Sequence, residues 1–257
     1  MIARRRCAFR ENNKNMKNSS GFRTLAALSV LALVTACGGG EDEDDDDSFE
    51  FDGYFTGTLT PDGSAPVSSF LYVAQNGRFY VGALPKALFA GQGTVNGISY
   101  TASGMGASGG FANGNPTATF SFTGTVTGQG ASVAGAYSGG GESGTYSFQW
   151  NQAVSSRDAS LGAIAGTYHF PATGAVAYTF TINTAGDYTF SSTNGCTMTG
   201  KVTVLDSDWN YYGWSATASA CPNITGAISG HAWMTADNAL SLFGTQSSLP
   251  IFIPGTR

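Results

Sequence analysis

Phe70-Leu-Tyr-Val-Ala-Gln-Asn-Gly-Arg-Phe-Tyr-Val81 decides the fold class. Two apolar, aromatic runs flank Asn76-Gly77, a dipeptide suited to the positive φ angles of tight hairpin turns. Thr179 to Phe190 repeats the arrangement, with Asn183-Thr-Ala-Gly186 at the turn. Val133-Ala-Gly-Ala-Tyr-Ser-Gly139 aligns with Ile224-Thr-Gly-Ala-Ile-Ser-Gly230, and Ser143 to Trp150 aligns loosely with Asn238 to Thr245. Counterparts lie roughly 90 to 110 residues apart, which is the period of a duplicated domain and not of a short-repeat solenoid.

The runs around these hairpins are short, alternating, and broken by Gly, Asn and Pro. Thr117 to Thr127 places Phe120 and Phe122 on one face, and Val133 to Ser138 pairs with Gly144 to Trp150 around Gly139-Gly140-Gly141. Gly128-Gln-Gly130 is a hairpin turn, with neither the following helix nor the basic residue that a phosphate cradle needs. Gly104 to Asn115 is mostly Gly, Ala and Asn and is expected to be a loop. In the second copy, period-2 alternation puts Tyr178, Phe180 and Ile182 on one face. Tyr188 and Phe190 share a face, as do Cys196, Met198, Val202 and Val204, opposite Thr197, Thr199, Lys201 and Thr203. Tyr212, Trp214, Ala216 and Ala218 form a further apolar row, and so do Ile224, Ile228, Ala232 and Met234. One apolar and one Thr-rich face per strand predicts an all-β protein of two related antiparallel β-barrel or β-sandwich domains. The expected organisation is a signal peptide over 1–36, a disordered acidic tether over 37–50, a first β domain over 51–150, a polar linker over 151–160, and a second β domain over 161–257.

Charge is concentrated at the amino-terminal end of this plan. Of 12 Lys and Arg, seven precede Cys37; nine acids lie between Glu41 and Asp52. From Gly53 onward there are five basic and seven acidic residues, so no basic face exists for nucleic acid. Glu41 to Asp47 is an unbroken acidic run that repels itself and cannot bury apolar surface, which predicts an extended tether. Calcium binding is the functional alternative for that run.

Thr24 to Ala36 is an apolar run of 13 residues, too short for a bilayer span at about 20. Lys17 and Arg23 precede it and small residues end it, as in a secretory signal peptide. Val34-Thr35-Ala36-Cys37 resembles the lipobox of bacterial lipoproteins. That resemblance implies a diacylglycerol on the Cys37 thiol, cleavage before it, and acylation of the new amino terminus. Gly38 after Cys37, by resemblance to enterobacterial sorting, implies passage to the outer membrane, on its periplasmic face or at the cell surface. Some lipoprotein families carry acidic export signals at the position of Glu41 to Asp47. Met16-Lys17-Asn18 would begin a signal of ordinary length, so the translation start is expected at Met16.

An exported chain with an even cysteine pair implies a disulfide, here Cys196–Cys221, with two free buried thiols as the alternative. A loop of about 25 residues would contribute on the order of 3 kcal/mol. Gly195-Cys196 followed by Cys221 and Gly226 resembles uncharacterised β-barrel domains of proteobacterial lipoproteins, a likeness that brings no activity with it.

Candidate chemistry is sparse. His169 and His231 both point away from their strands' apolar rows, with no nucleophile motif beside them. Asp206-Ser-Asp-Trp-Asn210 starts like a calcium loop, but Tyr211 and Thr217 stand where Gly and Glu are needed, so a polar turn is expected. Trp209, Tyr211, His231 and Trp233 share the outward side and form a candidate binding patch for a protein or carbohydrate, unless they pack between the copies or under Leu249 to Pro254. No cofactor or metal motif is present. These features imply a non-enzymatic, membrane-anchored binding or surface-interaction module. The alternatives are an inhibitor resembling the lysozyme-inhibitor lipoproteins, a structural envelope protein, or a hydrolase with an unrecognised site.

Overall fold

A computed structural model describes residues 51–84, 87–108, 117–128, 130–170, 177–222, 224–247 and 249–257. The signal segment, Met16, Cys37 and the acidic tether lie outside the described residues. The first copy holds β1 (Gly53–Pro61), β2 (Val67–Val73), β3 (Arg78–Ala83), β4 (Ala87–Asn96), β5 (Ser99–Ser108), β6 (Ala118–Thr127), β7 (Ser132–Gly139) and β8 (Glu142–Trp150). Two one-turn helices follow, α1 (Gln152–Ser155) and α2 (Leu161–Ile164). The second copy holds β9 (Gly166–Phe170), β10 (Tyr178–Ile182), β11 (Asp187–Ser192), β12 (Thr197–Asp206), β13 (Tyr211–Cys221), β14 (Ile224–Ala236), β15 (Ala239–Gln246) and β16 (Leu249–Thr256). Within each copy every strand pairs antiparallel with its sequence neighbours, and β1 meets β8 while β9 meets β16. The protein is therefore all-β, with two closed eight-stranded barrels rather than sandwiches.

The two hairpins that set the fold class share one turn geometry. Ala74 N–H bonds Arg78 O, Gly77 N–H bonds Ala74 O, and Gly77 O accepts from Gly93 N–H. At the counterpart, Asn183 N–H bonds Asp187 O, Gly186 N–H bonds Asn183 O, and Gly186 O accepts from Val202 N–H. Gly77 (φ 78°) and Gly186 (φ 83°) hold the left-handed position of a three-residue turn with a bulge, where a side chain would be strained.

Each barrel buries its inward row. In the first, Phe89 and Phe120 meet edge to face at 4.6 Å and Phe79 meets Phe122 at 5.5 Å. Gly91 faces Gly104 and Gly124 faces Gly135 across strand pairs. A Cβ at any of these would collide with the facing backbone, so the glycines let strands bend tightly around large rings. The second barrel buries the predicted row Tyr212, Trp214, Ala216 and Ala218 against Phe180, Tyr188, Met198 and Ile228. The Cys196–Cys221 disulfide ties the residue before β12 to the end of β13.

Three expectations are corrected. The Gly/Ala-rich stretch from Gly104 is not all loop, because β5 runs to Ser108 with Met105 opposite Ala90. The segment 151–160 does run between the two barrels, but it is packed and not simply polar: Val154, Ser155 and Ala159 are buried. Asn151 and Ser160 cap α1 and α2 through side-chain bonds to Val154 N–H and Ala163 N–H. The third concerns the repeat. β2 starts at Val67 and β10 at Tyr178, β7 at Ser132 and β15 at Ala239, so true counterparts lie about 110 residues apart. Ile224 to Gly230 belongs to β14 and Asn238 to Thr245 to β15, one strand early relative to β7 and β8. Runs of Gly, Ala and Ser resemble one another too closely to fix strand identity.

Candidate functional site

The outward face of β2, β3 and β4 carries Tyr72, Tyr80, Leu88 and Ala90, which pack against Tyr211, Trp233 and Phe243 of the second barrel. This is the seam between the barrels, and it explains why β3 is buried on both faces. Phe70 lies 5.1 Å from Phe243 and 5.7 Å from Phe252, while Trp233 stacks on Phe243 at 4.6 Å.

Three of the four residues expected as a binding patch are buried here: Trp233 is 0% exposed, His231 7% and Tyr211 8%. Trp209 is half-buried, with its ring 6.3 Å from that of Trp150. Alternation assigned their direction correctly, away from their own barrel's core; the face they point to is covered by the other barrel. Of the two readings left open by the sequence, an exposed patch or packing between the copies, the burial of these residues favours the second. Aromatic side chains each bury some 150–250 Å² when covered, so this seam is a second core and not a ligand surface.

His231 is likewise no surface histidine. Its Nδ1 lies 3.3 Å from Tyr80 Oη, and its ring stacks on Tyr211 at 5.4 Å and 17°. Burial, with a further contribution from the nearby Arg78 guanidinium, holds its pKa down at about 4, so the imidazole is neutral at ordinary pH. Tyr211 is pushed up to about 12 by burial, with Asp52 adding to the effect. His169, by contrast, is exposed on β9, with Nδ1 3.2 Å from Thr179 Oγ1.

Polar ties frame the seam. Arg78 Nη2 donates to Thr245 Oγ1 at 2.5 Å, and Gln75 Nε2 donates to Asp206 Oδ2 at 3.2 Å. Asn210 uses its whole amide: Nδ2 donates to Val154 O at 2.8 Å and Met234 O at 2.7 Å, and Oδ1 accepts from Met234 N–H at 3.0 Å. The Asp206 to Asn210 turn thus fastens α1 to β14, and the backbone N–H of Asp208 bonds Asp206 Oδ1 at 3.1 Å within it. The sequence marked Asn210 only as part of a polar turn; its bracing role was not legible, because its partners are backbone groups from distant segments.

Beside the seam an open groove of about 680 Å³ runs over β12, β13 and β14. Gln75 and Asn76, on the first barrel's hairpin turn, form one wall; Lys201, Thr203 and Leu205 on β12 form the other. Gly213 and Ser215 make the floor, and His231 and Tyr211 close the end against the seam. Gly213 supplies the depth. A Cβ there would stand 3.0 Å from Thr203 Oγ1 and 3.3 Å from Leu205 Cδ2, so both neighbours lean over the space it leaves. Lys201 Nζ is paired with Asp187 Oδ1 at 2.8 Å, and hydrogen bonds from Lys201 and Asn183 lower the Asp187 pKa. Lys201 and Thr203 were legible as outward residues; Gly213, an outward glycine within a strand, was the sequence signal for a hollow. The walls drawn from two barrels were not.

Among the described residues no cluster of three His, Cys, Asp or Glu could hold a metal ion. Asp237 pairs with Arg157 at 2.6 Å and Asp62 accepts from Ser143 Oγ, on surfaces away from the groove. The groove offers hydroxyls, amides, a neutral imidazole and an aliphatic rim, which is equipment for binding.

No protein-family model matches the chain, and no curated protein matches it in sequence. Among solved structures, it is similar to a candidate outer membrane protein from Bacteroides fragilis NCTC 9343. That match has 15% identity over 80% of this chain and 93% of the other, at a TM-score of 0.31. It is also similar to the isotype 1 transferrin binding protein B of serogroup B Neisseria meningitidis, at 7% identity over 76% of this chain and 64% of that one, again with a TM-score of 0.31. At such scores neither likeness assigns this chain a role.

Proposed function

We propose that this chain is a lipid-anchored protein of the bacterial cell envelope whose two fused barrels form a rigid, non-catalytic binding module, with the ligand seated in the groove beside the seam. The observation that carries the reading is the groove itself: residues of both barrels line it, its hydroxyls and amides lie among the apolar surfaces of Tyr211, Trp214 and Leu205, and exposed Leu205 stands at its rim. The anchor rests on Val34-Thr35-Ala36-Cys37, and with multiple acyl chains at about 0.8 kcal/mol per buried CH₂ it would hold the barrels firmly at the outer membrane. Passage of the body to the cell surface or its retention in the periplasm is read by protease shaving of intact cells.

The test places a photocrosslinking residue at Ser215 on the groove floor, or at Thr123 on the exposed outer face of β6, in the lipidated full chain in living cells. A crosslink to an envelope component from position 215 and none from 123 is expected. Equal crosslinking from both positions, or none from 215, overturns the reading. Metabolic labelling with an alkynyl fatty acid tests the anchor separately: label should depend on Cys37 and vanish in Cys37→Ser.

A further inference from the structure

We infer that the groove binds a neutral saccharide, through the hydroxyl and amide groups of its walls and the aliphatic face of Leu205. This rests on the groove reading above and names the class of ligand.

Charge narrows the class first. The cation lining the groove, Lys201, is already paired with Asp187. Asp206 stands behind Gln75, to which it is hydrogen-bonded, and exposed Asp208 adjoins it. Arg78 is turned into the seam toward Thr245 and His231. Three carboxylates against the Lys201 ammonium and the Arg78 guanidinium leave the surroundings of the groove net negative, which disfavours phosphates, uronic acids and nucleic acid. His231 does not reverse this, since it is neutral under ordinary conditions.

The lining chemistry narrows it further. Thr203 and Ser215 present hydroxyls from β12 and β13, and Asn76 and Gln75 present amides from the opposite wall. Tyr80 Oη and His231 Nδ1 share a hydrogen bond whose direction depends on the imidazole tautomer, and His231 itself lines the groove's closed end. These groups both donate and accept within one short trough, as a ring of sugar hydroxyls requires. Leu205 supplies the other half of the recognition. It is 49% exposed, one of three large hydrophobic residues so placed among the described residues, and it leans over Gly213 where a pyranose C–H face could lie. A purely apolar ligand would strand the hydroxyls and amides without partners, and an extended peptide would find no free strand edge, because β12, β13 and β14 are paired on both sides.

The full lipidated chain in detergent micelles is tested by saturation-transfer NMR against maltotetraose, cellotetraose and chitotetraose, with tri-galacturonate as the acidic comparison. At least one neutral tetrasaccharide should receive saturation and the acidic one should not. Ser215→Trp fills the floor, and Leu205→Asp removes the aliphatic rim; each should weaken binding by roughly tenfold or more. Thr123→Trp on the remote face of β6 should leave it unchanged, and thermal unfolding of all three variants verifies that they fold. The inference is overturned if no neutral tetrasaccharide binds, if tri-galacturonate binds better, or if both groove variants bind as the wild type does. A position-215 crosslink in cells without saccharide binding would retain the groove and reject the sugar.

Discussion

The outward face of the second barrel is divided in two. Over β14, β15 and β16 it carries Trp233, Phe243 and Phe252 and is covered by the first barrel; over β12 and β13 it carries Lys201, Thr203, Gly213 and Ser215 and stays open. All these residues have the same parity relative to the barrel core. The division shows that alternation fixes direction but not fate. What a side chain meets on the outside depends on the neighbouring barrel, and residue size tracks it: large rings where there is cover, glycine and hydroxyls where there is solvent.

The sharpest way to break the contrast is to empty the covered half. Trp233→Ala removes a fully buried ring between Tyr72 and Phe243 and should cost about 3–5 kcal/mol in denaturant unfolding. The next test uses the proton. His231 has a folded-state pKa near 4 against an ordinary 6.5, so the unfolded chain takes up a proton first as pH falls. Its contribution is complete above about pH 6.5, declines through the window down to about 4, and is absent below it. The loss approaches about 3 kcal/mol at most by linkage. Unfolding free energies of wild type and His231→Gln between pH 4 and 7 should converge as pH drops. Asn210→Ala should come third, at about 1–3 kcal/mol, because it leaves the Met234 N–H and two carbonyls without partners. In the open half, Ser215→Trp should change stability by no more than about 0.5 kcal/mol. If Ser215→Trp destabilised as strongly as Trp233→Ala, the two halves would not differ and the groove would be part of the core.

The sequence carried local facts well. Tyr178, Phe180 and Ile182, and the row from Tyr212 to Ala218, were assigned their face from alternation alone, and both hairpin turns were placed by Asn-Gly and by a glycine four residues into the loop. The disulfide followed from an even cysteine pair in a chain expected to be exported. Closure was not legible, because a barrel differs from a sandwich by long-range pairings such as Phe55↔Trp150, which leave no periodic trace. Nor was the seam. Tyr80 and Trp233 lie far apart in the chain; packing between the copies was open for Trp233, but nothing identified Tyr80 as its counterpart. The repeat was detected but misregistered over β7 and β8, where constant spacing would have been a better guide than composition.

The two closures are unequal. β1 and β8 pair from Phe55↔Trp150 to Pro61↔Gly144, whereas among the described residues β16 and β9 pair only at Thr256↔His169. An antiparallel strand turns alternate N–H groups to its two neighbours. Pro250 and Pro254 share one parity, and β15 is paired along the whole of β16, so both prolines remove donors from the edge facing β9. That strand is instead braced from outside, where it lies against β4 and β5 and Phe252 meets Phe70. During synthesis the first barrel emerges before β16 exists. A first barrel that folds first would offer β4 and β5 as the surface against which β16 is laid down, so closure of the second barrel would draw on its neighbour as well as on β9.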